Sequence, residues 1–228
     1  MKSVLFIWVL LCFMLAGCAN NDSPASRGST GLYVNYRIWG EEGRENVNGL
    51  FQFKPFASSA RTLTLEPPAG VQLDGKKLQA DSTPLTGAYY EVQQPLASFS
   101  GSHTIVFTDS SGKKHQETFE YQPFRLINTL PETLSRNGIS LQLEGLNEGD
   151  SIRVVVVDTS FNTNGINELR AVTDGKVVIS REQLNDVASG PITLQLIKEE
   201  ERPVKNLPQK GGHISISYKL TRELELKD

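Results

Sequence analysis

The sequence predicts an all-β protein: two tandem immunoglobulin-like β-sandwiches behind a cleaved leader and a flexible tether. Three observations predict it. Apolar and polar residues alternate along almost the whole chain after residue 31, the period-two pattern of half-buried strands. Gly, Pro, Asn and Asp punctuate these runs at short intervals, as turns between short strands require. One short segment near residue 180 carries helix signals. Many short strands with one helical turn argue for sandwiches, and units of about 90–105 residues are of immunoglobulin size. The division is then 31–122 and 123–228, with one larger sandwich as the alternative within 228 residues.

The leader comes first. Met1-Lys2 carries one positive charge, and residues 4–15 (VLFIWVLLCFML) form an uninterrupted apolar run. Twelve helical residues rise about 18 Å, short of a hydrocarbon core of about 30 Å, so this run is not a membrane span. A charged start, a short apolar run and small residues before a cut read as an export signal over residues 1–17. Leu15-Ala16-Gly17-Cys18 resembles the lipobox of bacterial lipoproteins. That resemblance implies cleavage between Gly17 and Cys18, diacylglycerylation of the Cys18 thiol, and membrane attachment through the N-terminal lipid. A plain signal peptide with a chance Cys, or an N-terminal anchor helix, is the alternative. Two or three acyl chains anchor stably, because each buried CH₂ adds about 0.8 kcal/mol. In lipoproteins of the enterobacterial type, Asp directly after the Cys retains the protein at the inner membrane. Ala19 and Asn20 stand there in this chain, which implies a lipid anchor in the outer membrane of the cell envelope.

Cysteine usage then excludes whole classes of chemistry. Cys12 leaves with the leader and Cys18 takes the lipid, so the mature chain has no disulfide, thiolate metal site or cysteine nucleophile. Loss of Lys2 leaves the mature chain one unit more negative than the formal −3 of the full sequence. With no basic tract, nucleic acid is not a partner. Residues 18–30 form the tether, polar and Gly/Pro-bearing from Asn20 onward.

Strands follow. Leu32, Val34, Tyr36 and Ile38 alternate with Tyr33, Asn35, Arg37 and Trp39, and Val47, Phe51 and Phe53 continue the pattern. Leu63 and Leu65 read as another strand. Val71-Gln72-Leu73-Asp74-Gly75-Lys76 reads as a hairpin on its Asp-Gly turn, and Tyr89-Tyr90-Glu91-Val92 as a further strand. Ile105 and Phe107, then Asp109-Ser110-Ser111-Gly112, then Phe119 and Tyr121 predict a hairpin in which Asp109 pairs with Lys113. That register puts His103 opposite Phe119 and His115 opposite Phe107. Tyr121-Gln122-Pro123-Phe124 marks the domain boundary. In the second half Ile139, Leu141 and Leu143 alternate, Ile152 to Val157 reads as a strand buried on both faces, and Ile192, Leu194 and Leu196 alternate again. Ile214, Ile216, Tyr218, Leu220, Leu224 and Leu226 form the clearest strand. Ser180 caps a helix with Gln183 at its third position, Ile179 and Leu184 staple it, and Gly190-Pro191 stops it.

Four stretches carry a resemblance: Tyr36-Arg37-Ile38-Trp39-Gly40-Glu41-Glu42-Gly43, Gly87-Ala88-Tyr89-Tyr90-Glu91-Val92, Asp158-Thr159-Ser160-Phe161 and Glu201-Arg202-Pro203-Val204. Through them the mature chain resembles a group of uncharacterised lipoproteins from Bacteroidota. The resemblance implies the envelope address and the β-fold, and it carries over no activity and no catalytic residue. In organisation alone the chain is also similar to surface glycan-binding lipoproteins of that phylum, which put β-sandwiches on a lipid tether.

Candidate chemistry is sparse. His103, His115 and His213 show no metal spacing: four residues along a strand is about 13 Å, too far to share an ion. The 160–165 segment puts oxygen side chains at positions 1, 3 and 5 of a calcium-type loop, with Gly165 at 6. Position 1 is Ser160 rather than Asp, however, and position 12 is Ala171 rather than Glu. Ser110-Ser111-Gly112-Lys113 matches S-x-x-K on a turn, where that motif needs a helix start and companion motifs. Glu41-Glu42 and Glu199-Glu200-Glu201 read as solvated charge runs, with nothing to set the separation that glycoside chemistry requires. No metal and no cofactor is called for. The surviving candidates are aromatics on an outer sheet face, Tyr33, Trp39, Tyr89 and Tyr90: Trp39 alternates away from the Leu32/Val34/Tyr36/Ile38 face, and either Tyr33 or Tyr36, and either Tyr89 or Tyr90, points opposite to its partner. The expectation is a non-enzymatic interaction or scaffold module for an envelope protein. The alternative is a polysaccharide-binding module that uses those aromatics.

Overall fold

The alternation becomes sixteen strands in the computed structural model, which describes residues 31–55, 61–85, 87–160, 165–207 and 211–228. The leader, Cys18 and the tether lie outside these residues. So does the middle of the 160–165 segment.

One large sheet runs the length of the molecule. Its order is β13 (Ile166–Ala171), β12 (Ser151–Asp158), β15 (Gly190–Pro203), β16 (Gly212–Lys227), β1 (Leu32–Glu41), β2 (Asn46–Pro55), β6 (Gly87–Pro95) and β5 (Ala80–Thr83), with β10 (Thr133–Ser135) paired to the end of β16. Two smaller sheets share its apolar core. β4 (Lys76–Lys77), β3 (Gly70–Leu73), β7 (Gly101–Thr108) and β8 (Lys114–Tyr121) form one; β14 (Lys176–Ile179), β11 (Ile139–Glu144) and β9 (Arg125–Leu126) form the other. The fold is all-β and sandwiched, as the alternation predicts.

The part covered by the β4–β3–β7–β8 sheet, called the first lobe, packs rings; the part covered by β14–β11–β9 is the second. Phe53 on β2 meets Phe107 on β7 at 5.1 Å between centroids and Tyr90 on β6 edge-on at 5.6 Å. Tyr36 on β1 stands edge-on to Phe51 at 5.0 Å. The β7–β8 hairpin has the expected register, His103 opposite Phe119 and Phe107 opposite His115. Gly112 takes φ +83° at its tip, a conformation that a Cβ would strain. The second lobe packs aliphatics, among them Leu141, Ile152, Val154, Ile179, Leu184, Ile192 and Leu194. Helix α1 (Arg181–Asn185) starts at the expected capping box: Ser180 Oγ accepts from Gln183 N and Gln183 Oε1 accepts from Ser180 N. It ends at Asn185, before Gly190 and Pro191, which open β15 instead.

β8 ends at Tyr121, and Phe124 is fully buried against Tyr218 at 5.6 Å. The final hairpin then returns. β15 and β16 pair from Gly190↔Leu226 to Pro203↔His213, and β16 also pairs parallel with β1 from Val34↔Gly212 to Glu41↔Lys219. Sixteen residues of strand reach about 53 Å, enough to serve both lobes. Main-chain hydrogen bonds therefore join the halves, and Gly31–Asp228 is one compact unit.

Where β15 crosses between lobes, its inward face changes from Ile192, Leu194 and Leu196 to Lys198, Glu200 and Arg202. Lys198 Nζ lies 2.8 Å from Asp150 Oδ2 and 3.0 Å from Gln122 Oε1. Arg202 pairs with the buried Glu117 of β8 and donates to Thr118 O at 2.8 Å, while Lys205 N donates to Glu117 Oε2 at 2.9 Å. The opposite flank is closed by contact at Gly40, where a Cβ would lie 2.2 Å from the Tyr121 hydroxyl.

Two expectations fail. Ile152, Val154 and Val156 are buried, but Val155 is half-buried and Val157 is 52% exposed. Among the described residues nothing covers the outer face of the main sheet here, so the Val run has one wet side. Leu63 and Leu65 form no strand: a lone bridge at Thr62 and the bond from Leu63 N to Phe53 O tie an otherwise irregular segment to the sheet.

Candidate binding surface

The outer face of the main sheet collects most of the expected residues. In β1 the even positions from Val34 to Ile38 are buried, which turns Tyr33, Asn35, Arg37 and Trp39 outward. Tyr33 is 37% and Trp39 38% exposed. The Arg37 guanidinium sits 5.7 Å from the centre of the Trp39 ring, a cation–π contact. Tyr89 also faces outward and is half-buried; its hydroxyl donates to Asp81 Oδ2 at 3.1 Å. That hydrogen bond pushes the Tyr89 hydroxyl above the usual phenol range.

Tyr90 is a correction. It is 3% exposed, stands edge-on to Phe53, and its hydroxyl accepts from Leu65 N at 2.8 Å. The period of two puts Tyr89 out and Tyr90 in, so Tyr90 is a core residue. Gly17 and Cys18 lie outside the described residues.

Strand pairing places polar neighbours around the outward aromatics. Trp39 is flanked by Asn48 on β2 and Ser217 on β16, Asn35 by Gln52 and His213, Arg37 by Leu50 and Ser215, and Tyr33 by Lys54. On β6, Gln93 lies opposite Asn48 and Glu91 opposite Leu50. A groove of about 530 Å³ opens beside Trp39, with Arg44, Glu45, Asn46 and Asn48 on its walls.

The far end of the same face differs. Val155, Val157, Leu169 and Ile197 all project there, Leu169 being 57% exposed. Arg153 lies opposite both Leu169 and Ile197, and Val155 sits diagonally from each, within side-chain reach. This patch was legible in part, since β15 alternates Ile192, Leu194 and Leu196 with Thr193 and Gln195. A polar outer face on the neighbouring strand means that the Val run must also be open on that side.

The ionisable groups that could have carried chemistry are engaged within the fold. His103 Nδ1 is 2.8 Å from Asp74 Oδ2 and its Nε2 3.1 Å from Phe99 O; its ring stacks on Phe99 at 3.8 Å. His115 Nε2 is 2.8 Å from Asp109 Oδ2 and its Nδ1 3.0 Å from Asn206 O. The His115 and Ser111 hydrogen bonds hold the Asp109 carboxyl well below the usual carboxylate range. His213 Nε2 lies 2.8 Å from Glu201 Oε1, at ion-pair distance but outside hydrogen-bond geometry. The acidic runs lie on strands and a turn rather than in loops, with Glu199, Glu200 and Glu201 exposed as expected. Glu41 is 3.2 Å from Lys219 and Glu42 pairs with Arg222. Glu199 takes Arg153 at 2.5 Å and Glu200 takes Arg202 at 2.7 Å. Ser110 and Lys113 sit at the β7–β8 tip, where Asp109 Oδ1 accepts from Ser111 and Lys113 N. Ser160 N donates to Asp158 Oδ1 at 2.7 Å. Among the described residues no group of three His, Cys, Asp or Glu could hold a metal ion.

No protein-family profile matches the chain, and no curated protein does. Solved structures give remote likenesses. The DIP-gamma IG1+IG2 structure is 10% identical over 86% of this chain and 95% of its own, with a TM-score of 0.24. A 1.5-MDa bacterial ice-binding adhesin is 13% identical over 88% of this chain and 66% of its own, at 0.26. SGBP-B of Bacteroides ovatus, in complex with a mixed-linkage heptasaccharide, is 10% identical over 86% of this chain and 60% of its own, at 0.20. TM-scores this low define no common arrangement and assign no ligand.

Proposed function

We propose that this chain is a lipid-anchored protein of the bacterial cell envelope, held at the outer membrane through Cys18. There it serves as a non-enzymatic interaction module that docks an envelope protein on the aliphatic end of its open sheet. One observation carries the reading: Val157 and Leu169 are each more than half exposed on a sheet whose other face is sealed in the core. Val155, Val157, Leu169 and Ile197 leave aliphatic surface in water around Arg153, whose guanidinium is already held by Asn167 and Glu199, and exposed aliphatic surface favours another protein over a polar ligand. The pairing of His103, His115, Glu117 and the Glu199–Glu201 cluster with fixed partners supports a structural rather than catalytic use of these groups.

A photo-crosslinking residue introduced at Leu169 in cells tests the docking surface. The expected result is one discrete envelope-protein adduct that Val157→Asp removes. A crosslinker at Val178, 55% exposed on β14 in the other sheet, should give none. Equal adducts from both positions, or none from Leu169, overturn the docking reading. Radiolabelled palmitate should enter the wild type and not Cys18→Ala; equal labelling overturns the anchor.

A further inference from the structure

We propose that the aromatic end of the outer face, between Trp39 and Tyr33, binds a neutral oligosaccharide chain laid along β1. The inference goes beyond the docking of a protein at the other end of the sheet and stands without it. Trp39 and Tyr33 are exposed to the same degree on the same face. Six residues of strand set them about 20 Å apart. Flat rings with a polar edge suit ligands that are apolar on one side and wet on the other. A pyranose is such a ligand, with C–H groups on its faces and hydroxyls around its rim.

The ground between the rings fits that chemistry. Asn35, Asn48, Gln52, Ser215 and Ser217 are half-buried on this face and sit in adjoining strand positions. Amides and hydroxyls both donate and accept, as a sugar hydroxyl needs of its partners. Carboxylates outnumber cations around this ground: Asp81, Glu91, Glu199 and Glu201 stand on the face against Arg37 and Lys54. An acidic balance of this kind repels a phosphate or uronate chain and leaves a neutral one unopposed. The groove beside Trp39, with Asn46 and Asn48 on its wall, lets the chain continue past the ring.

The test is native electrophoresis of the full-length protein in non-ionic detergent through gels cast with hydroxyethyl cellulose, galactomannan or dextran, with polygalacturonate as the anionic control. At least one neutral polymer should retard the protein. Trp39→Ala should then weaken binding about tenfold, the scale of one lost ring contact. Tyr33→Ala should weaken it less, and Trp39→Phe should keep most of it, which separates a lost platform from a lost fold. Leu169→Gln should leave retardation unchanged, so failure here and failure of the protein-docking reading are distinguishable. No retardation by any neutral polymer, retardation by polygalacturonate alone, retardation that survives Trp39→Ala, or equal loss in Leu169→Gln would each overturn the proposal.

Discussion

The two lobes share a sheet and solve the same packing problem with different materials. In the first lobe the large residues are rings, and the smaller sheet adds His103 and His115 stacked on Phe99 and Phe107. In the second they are Ile, Leu and Val, with one capped helical turn over the end. The outer faces differ in the same sense: aromatics stand among amides at one end, and exposed aliphatics among Arg153, Asn167 and Gln195 at the other. Rings bring polar atoms into a core, and each needs a partner. This explains the carboxylate–histidine pairs and the Tyr90–Leu65 bond of the first lobe; the polar bonds of the second, such as those from Ser160 N and Ala188 N to Asp158, tie main chain rather than core rings.

The junction should be the most sensitive point. Arg202→Ala leaves Glu117 buried on β8 without its cation, and stability should fall by about 3–5 kcal/mol. Because β16 belongs to both lobes, far-UV dichroism and Trp39 fluorescence should still report one coincident urea transition. Separate transitions would break the comparison and make the lobes independent.

Next is the contact that closes the other flank. Gly40→Ala forces a methyl against the Tyr121 hydroxyl and should cost about 2–3 kcal/mol. The Tyr121 hydroxyl is buried and makes no hydrogen bond among the described residues. Tyr121→Phe removes it without a broken bond and should restore most of the loss in the double variant, measured as a thermodynamic cycle.

Asp109 sharpens the histidine contrast. Its folded carboxyl titrates below the usual range, so its contribution is complete above the unfolded value of about 3.9 and fades as the pH falls toward the folded value. Asp109→Ala should therefore be about 2 kcal/mol less stable at pH 7, with the gap narrowing in thermal melts as the pH falls below about 4. The smallest effect belongs to the open face of the second lobe. Leu169→Gln should change stability by less than about 0.5 kcal/mol, since its side chain is already more than half in water.

Much of this was readable before the structure. Alternation identified both inner faces, Asp109 and Gly112 set the β7–β8 register, and Ser180 with Gln183 located the helix start, because turns and caps act over three to five residues. The tyrosine pair at 89–90 was legible as one in and one out, but its parity had to come from pairing with β2 and β5. Val155 and Val157 misled because a run of four Val has no polar residue to mark the wet side. Leu63 and Leu65 misled because two apolar residues at a spacing of two need a neighbouring strand to become one.

The sequence by itself determined the strand-rich class, the turn chemistry and the outward aromatics of β1. These follow from local sterics and period, which each residue carries wherever the strand ends up. Only the tertiary structure decided that the last strand lies beside the first, that Arg202 reaches Glu117, and that the acidic run at 199–201 is paired. The first two join residues about 180 and 85 positions apart, and Glu199 meets Arg153 across 46; no local preference selects a partner at such ranges. The choice falls to the long β15–β16 hairpin, whose reach lets one sheet bury the apolar face of both lobes at once.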